Sequence, residues 1–202
     1  MLPFDAYDTL SVPEIRESIK VQRSEFIAIA LPIEGANSFA RELHRVQKEY
    51  HDATHHCWAW RWLDDADVRE QSSDAGEPSG TAGRPILQAI ESAGLLDVGV
   101  IVVRYYGGVK LGTGGLGRAY RDAAREALNA APRETRYLYA RLALEMPYSA
   151  LSQVYRLVSP PDVVLVSEEF GGTNRFLIDV RRSRVEAVLR DLDEKRIRVE
   201  RL

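Results

Sequence analysis

Two glycine-rich runs, each followed by a helical pattern, constrain the fold of this chain more than any other feature. The first is SDAGEPSGTAGRP at residues 73–85, and the second is VRYYGGVKLGTGGLGRAY at residues 103–120. Small residues at the start of a helix leave backbone N–H groups accessible, and the helix dipole adds partial positive charge there. Such a helix start favours an anion. The sequence therefore predicts two helix starts that are both suited to binding an anion.

The two runs are expected to face each other, because consecutive elements that share a sheet usually pack as neighbours. This arrangement places Glu77, Thr81 and Arg84 near residues 112–118 in one cleft, with backbone N–H groups turned inward. A small anion is then a candidate ligand of the cleft. The alternative is that the glycines only permit tight turns with positive φ.

Apolar periodicity and turn residues divide the chain into two domains, residues 1–132 and residues 136–202. The elements predicted in the first are a strand at 24–31, a helix through 39–50, a hairpin of 56–62 with 68–71 across a turn at 64–67, a helix at 85–93, a strand at 98–106 and a helix at 116–130. Pro132 is expected to end that last helix and to begin a linker of about four residues.

The second domain shows alternating strands and short amphipathic helices. The predicted elements are a strand from 136 to 146, a helix through 151–158 capped by Ser149, strands at 163–170 and 175–181, a helix through 185–192 capped by Ser183 with Glu186, and a strand at 197–202. This order, βαββαβ, is the ferredoxin-like arrangement.

The two glycine-rich runs also resemble, closely, the hallmark of the IMPACT family and of its bacterial YigZ-like branch. The family pattern is SD-x-GEP-x-GTAG-x-P followed by VRY-[FY]-GG-x-KLG-x-GGL-x-RAY, and the match extends over residues 24–130. The resemblance implies an α+β protein. Its N-terminal domain is expected to be like domain IV of elongation factor G and the GHMP-kinase fold, and its ferredoxin-like C-terminal domain like domain V of elongation factor G.

The resemblance also implies a role in translation, because eukaryotic members regulate translation by binding the activator of a stress-responsive initiation-factor kinase. We therefore expect a binding protein, rather than an enzyme, that contacts RNA, the ribosome or a translation factor. The alternative is an enzyme acting on a phosphorylated or acidic small molecule between the two runs. In that case Asp74 or Glu77 would be the base, assisted by His55 or His56.

Charge is distributed unevenly along the chain. The net charge of −3 argues against a protein that coats nucleic acid indiscriminately, because such binding depends on many Lys and Arg contacts to phosphate. Between Arg104 and Arg125, however, five basic residues accompany a single acid, Asp122. At about 100° per residue, the helix at 116–130 has Leu116, Tyr120, Ala123 and Ala127 on one side and three arginines on the other.

The candidate binding residues combine the cleft with this basic stretch. They are Glu77, Thr81, Arg84, Arg104, Lys110, Gly112, Gly114, Gly115, Arg118, Arg121 and Arg125. Three tyrosines nearby, Tyr105, Tyr106 and Tyr120, are candidates for stacking on bases. The alternatives without a binding role are that the arginines form an ordinary solvated face and that the tyrosines occupy core or rim positions.

Histidines and the single cysteine lie close together in the sequence, at His51, His55, His56 and Cys57. Imidazole and thiolate are metal ligands, but in a strand that begins at His55 at most two of these groups face one side. We expect no metal and no cofactor. With one cysteine, no signal-peptide pattern in residues 1–5 and no run of 18 apolar residues, the chain is expected to be cytoplasmic, without a membrane span.

Overall fold

The protein is described by a computed structural model that covers residues 4–64 and 67–202. Two compact units make up the chain: residues 7–135 form the first, and residues 136–202 together with residues 4–6 form the second. Both combine helices with sheets, so the protein belongs to the α+β class. Residues 65 and 66, in the turn predicted at 64–67, and residues 1–3 lie outside the described part.

The first unit is built on a five-stranded antiparallel sheet of order β2-β3-β6-β4-β5. Its elements are β1 (Ala6–Leu10), β2 (Ile15–Val21), β3 (Ser24–Pro32), α1 (Ala36–Glu49), β4 (His55–Asp64), β5 (Asp67–Ser73), α2 (Gly83–Ala93), β6 (Val98–Tyr105) and α3 (Gly112–Ala130). The predicted hairpin is confirmed as β4 paired with β5, with Trp60 opposite Gln71.

Helices cover both faces of this sheet. Ala28 and Val102 pack on the side of α2 and α3. The neighbouring residues Ile29 and Ile101 point the other way and pack with residues of α1. Because alternate residues of a strand face opposite sides, a central strand buried on both faces is apolar along its length, as β6 is from Val98 to Val103.

Helix α3 begins four residues earlier than its apolar pattern predicts. The predicted start was Leu116, but the helix starts at Gly112, whose φ of 68° turns the chain into the first turn. Glycines carry no apolar signal, so periodicity could not place this end. The predicted faces are confirmed: the apolar side of α3 is buried, and Arg118, Arg121 and Arg125 are exposed.

The predicted linker after Pro132 is wrong, because residues Arg133–Tyr137 form a strand, β7, that pairs with β1 in a two-stranded sheet. Strands β1 and β2 were also absent from the prediction. The exposed, largely polar residues of β2 reflect its position at the edge of the five-stranded sheet, where only one neighbour is needed.

The second unit has the predicted βαββαβ order. Its elements are β8 (Tyr139–Met146), α4 (Leu151–Tyr155), β9 (Val163–Glu169), β10 (Asn174–Arg181), α5 (Val185–Glu194) and β11 (Arg198–Arg201). The strands form one antiparallel sheet of order β11-β8-β10-β9, whose inner residues share a core with the helices.

The two predicted caps of the second unit are wrong. Short 3-10 turns at Tyr148–Ala150 and Arg182–Arg184 lead into α4 and α5, and neither Ser149 nor Ser183 caps the helix that follows it. The Ser183 hydroxyl instead donates to the carboxylate of Asp5. Within residues 4–64 and 67–202, no helix has the length and apolar character needed to cross a membrane.

Candidate functional site

A pocket of about 460 Å³ lies between the first glycine-rich run and the start of α3, within the first unit. Its walls come from β4, β6, both glycine-rich runs and the first turns of α3. The lining residues are Thr54, His55, Glu77, Pro78, Arg104, Tyr106, Lys110, Leu111, Gly112, Thr113 and Leu116. Four of the eleven candidate binding residues therefore meet in one place: Glu77, Arg104, Lys110 and Gly112.

A buried ion pair forms one wall of this pocket. Arg104, which is 5% exposed, donates through Nη1 to Glu77 Oε1 at 2.5 Å. The Tyr120 hydroxyl donates to the same oxygen at 2.7 Å, and Arg104 Nη2 donates to Ser24 Oγ at 3.3 Å. Charged groups are stable at such depth only when paired and hydrogen-bonded. The pair thus fixes the first glycine-rich run against β6.

This pair corrects two expectations about the basic stretch. Arg104 does not belong to an exposed basic surface, because its charge is buried beside Glu77. Tyr120 cannot stack on a base, because it is fully buried, and burial raises the pKa of its hydroxyl well above the ordinary value. Tyr105 is half-buried and donates to Asp52. Only Tyr106 of the three tyrosines, at 45% exposure, offers much ring surface.

The sequence carries a signal for the Arg104–Glu77 pair. A charged residue directly follows six apolar positions of a central strand, so it must either reach solvent or find a buried partner. The first glycine-rich run contains two acids, Asp74 and Glu77, that are candidates for this partner. The roles of Ser24 and Tyr120 carry no such signal, because both depend on contacts between distant elements.

The carboxylate of Asp74 is held by the loop that it belongs to. It accepts hydrogen bonds from the backbone N–H groups of Gly80, Ala82 and Gly83 at 2.8 to 2.9 Å. Burial alone would raise its pKa, but these three N–H groups outweigh burial and lower the pKa below the ordinary value. Asp74 is thus an internal cap for the start of α2, and this environment does not favour a general base.

The expectation that both runs turn their N–H groups toward a shared cleft is therefore wrong for the first run. At the start of α2, the N–H groups of Ala82 and Gly83 already bind Asp74, and Pro85 in the first turn has no N–H. Thr81 is buried, and its hydroxyl donates to the Pro78 carbonyl at 2.6 Å. Arg84 is exposed on α2, outside the pocket lining.

The start of α3 differs. Leu111 occupies the N-cap position, no side chain among the described residues caps it by hydrogen bonding, and its first turn contains no acid. Gly114 and Gly115 lie in that turn, and Thr113 and the exposed Lys110 line the pocket beside it. The unpaired N–H groups of a helix start, with a lysine next to them, form an electropositive end of the pocket.

The histidines and Cys57 support the first run from β4. His55 and Cys57 face the same side, where they contact the carbonyls of Ala75 at 3.0 Å and Asp74 at 2.9 Å. His56 faces the other side and contacts the Tyr50 carbonyl at 3.1 Å. Burial raises the pKa of the Cys57 thiol to about 12, so it is not a thiolate at neutral pH.

No group of three His, Cys, Asp or Glu side chains in the described part of the chain could hold a metal ion. Of the acids considered as a general base, Glu77 lines the pocket, but its Oε1 accepts from both Arg104 and Tyr120. His55 Nε2 lies 3.9 Å from the other carboxylate oxygen of Glu77.

The exposed arginines of α3 lie outside this pocket. Arg121 and Arg125 line a separate groove of about 220 Å³ with residues of α2, and Arg125 also pairs with Asp122 at 3.3 Å. Arg118 is exposed near the start of α3, and its guanidinium lies beside Gly114. The candidate residues therefore divide between a pocket at the start of α3 and an arginine-bearing helix face.

Sequence comparison places this site in a known family. The model of the Impact N-terminal domain matches residues 22–128, which include both glycine-rich runs. The chain belongs to the IMPACT family. It is 33% identical over 177 residues to an IMPACT family member of Haemophilus influenzae, covering 87% of this chain and 86% of the relative. It is 32% identical over 152 residues to the IMPACT family member YigZ of Escherichia coli, covering 75% and 74%.

A crystal structure described as that of a hypothetical protein resembles this IMPACT family chain along its length. It is 25% identical, covers 98% of each chain and superimposes with a TM-score of 0.68. The likeness supports the α+β fold of the chain, and it assigns no function.

Proposed function

We propose that this protein is a translation-associated binding protein that contacts structured RNA, on the ribosome or in a complex with a translation factor, in the cytoplasm. Membership of the IMPACT family supports translation as the process, because the family's eukaryotic members are expected to regulate it. RNA contact rests on one observation: Arg118, Arg121 and Arg125 are exposed along one side of α3.

The opposite side of α3 is buried in the core, so the three arginines lie on the side of the helix that faces solvent. Guanidinium groups bind phosphate in a bidentate manner and remain charged at all physiological pH values. Arg121 and Arg125 border a groove between α2 and α3, which gives the surface a shape as well as a charge. A phosphate backbone that follows this groove would contact Arg121 and Arg125, and Arg118 extends the same side of α3 toward its start.

The proposal is tested by fluorescence anisotropy with a structured RNA at several salt concentrations. Removing a phosphate contact reduces the slope of log affinity against log salt by about 0.7 to 0.9. Reversing two charges, Arg118→Glu with Arg121→Glu, is expected to abolish binding. A matched control, Arg41→Glu with Arg190→Glu, changes the net charge equally on exposed sites of α1 and α5 and should retain most of the affinity.

An affinity unchanged by the α3 reversals, or equally reduced by both pairs, would overturn the RNA proposal. In the first case α3 makes no contact, and in the second only net charge matters.

We also infer that residues 1–132 and 136–202 are separate domains related to elongation factor G domains IV and V, the first also to GHMP kinases. Family membership and the βαββαβ order of the second unit support this inference. Superposition of each unit by itself on those domains tests it, and a different strand order in either pair would contradict it.

A further inference from the structure

We propose that the pocket at the start of α3 binds a small molecule that carries a phosphate monoester and an apolar body. The pocket is distinct from the groove lined by Arg121 and Arg125, and the proposal does not depend on RNA binding. It rests on two independent observations, which concern the start of α3 and the side chain of Arg104.

The backbone N–H groups at the start of α3 donate to no side chain in the described part of the chain. In any α-helix the first four N–H groups lack an intrahelical partner, here those of residues 111–114. Gly112 and Thr113 line the pocket, so a ligand in it lies next to these donors. A phosphate offers three acceptor oxygens and about two negative charges to such a site.

Arg104 supplies the second observation. Only 5% of the Arg104 surface is exposed, and this residue lines the same pocket. Its Nε atom has no hydrogen-bond partner among the described residues, although Nη1 and Nη2 are both engaged. A guanidinium has five N–H donors, and the described residues engage two of those of Arg104, so it can still donate to an anionic oxygen in the pocket that it lines.

The local charge favours an anion despite the presence of Glu77. Arg104 pairs with Glu77, so the two formal charges largely cancel. Lys110 remains as a full positive charge at the pocket, and the start of α3 adds a partial one. A phosphate monoester matches this balance better than a cation or a neutral ligand does.

The rest of the pocket indicates an apolar body for the ligand. Pro78, Leu111 and Leu116 line it, and the half-exposed ring of Tyr106 lies with its centroid 5.3 Å from Arg104 Cζ. A volume of about 460 Å³ is much larger than phosphate alone requires and falls in the range typical of small-molecule pockets. Inorganic phosphate should therefore bind less tightly than an aryl phosphate.

Isothermal titration calorimetry of the full chain tests the proposal, with phenyl phosphate, inorganic phosphate and benzyl alcohol as probes. Phenyl phosphate should bind saturably, inorganic phosphate about tenfold more weakly, and benzyl alcohol not measurably. Thr113→Asp places a carboxylate in the first turn of α3 and should lower the affinity for phenyl phosphate at least about tenfold more than the neutral, equally large Thr113→Asn does.

A second pair of variants keeps the test decisive if Thr113→Asp perturbs the helix. Lys110→Gln should weaken phenyl phosphate about fivefold, and Lys48→Gln, at an exposed position of α1, should leave it unchanged. Three results would overturn the proposal: no saturable binding, equal affinity for phenyl phosphate and inorganic phosphate, or displacement of phenyl phosphate by structured RNA. The last result would assign the pocket to RNA.

Discussion

The starts of α2 and α3 look alike in the sequence, but only that of α2 has backbone N–H groups bound by a carboxylate of its own loop among the described residues. At α2, Asp74 reaches forward along the first glycine-rich run and accepts from Ala82 and Gly83. At α3, the first turn contains no acid, and no described side chain caps it. A glycine-rich run before a helix therefore marks a possible anion site, and the position of the nearest carboxylate decides whether that site is filled from within.

The pocket between the two helix starts depends most on the buried ion pair. Replacing Arg104 with Met should lower the free energy of unfolding by about 3–5 kcal/mol, because Glu77 is left buried without its charged partner. Urea unfolding followed by circular dichroism measures this. The double variant with Glu77→Gln should recover part of the loss, and no recovery would mean that packing, rather than charge, dominates at Arg104.

The next largest effect should come from Asp74. Asp74→Ala removes the acceptor for three backbone N–H groups and should cost about 2–3 kcal/mol of unfolding free energy. Asp74→Asn keeps an acceptor without the charge and should cost less. A loss below about 0.5 kcal/mol for Asp74→Ala would show that water replaces the carboxylate easily, and the contrast between α2 and α3 would then disappear.

The same carboxylate makes a signed prediction for pH. The pKa of Asp74 is lower in the folded chain than its ordinary value of 3.8. The ionised carboxylate therefore stabilises the fold fully at pH values above the pKa that Asp74 has in the unfolded chain. This contribution is lost as the pH falls through the folded pKa. The stability difference between wild type and Asp74→Asn should therefore be constant near neutral pH and shrink below about pH 4. A difference that grows with acid would contradict the assignment.

The smallest predicted effect comes from adding a carboxylate at the start of α3. Thr113→Asp gives α3 an internal carboxylate like that of α2 and should raise the unfolding free energy by about 0.3–1 kcal/mol. The thermal midpoint in differential scanning calorimetry, compared with that of Thr113→Asn, measures this gain. Destabilisation by Asp relative to Asn would indicate that Glu77 repels a second carboxylate more strongly than the helix start attracts it.

Local patterns in the sequence were enough to predict the main elements and the two faces of α3. Tyr120 and Arg118 fall on opposite sides of the helix because spacing alone decides their directions. The βαββαβ order also follows from local signals, since each strand and helix carries its own periodicity.

The contacts that define the pocket could not be predicted in this way. Asp74 and Glu77 are three residues apart, yet one binds its own loop and the other binds Arg104 of a distant strand. Their separate roles depend on how the first run folds over β4 and β6. Strands β1 and β7 could not be predicted for the same reason, because they pair with each other although they lie far apart in the sequence.

Helix α2 is capped from within, whereas the start of α3 is open to an external anion. Backbone amide chemical shifts, followed by heteronuclear NMR during titration with phenyl phosphate, test this claim directly. The amides of Thr113 and Gly114 should shift and saturate together, while those of Gly80, Ala82 and Gly83 should stay in place because Asp74 holds them. Saturable shifts at the start of α2 with none at the start of α3 would contradict it.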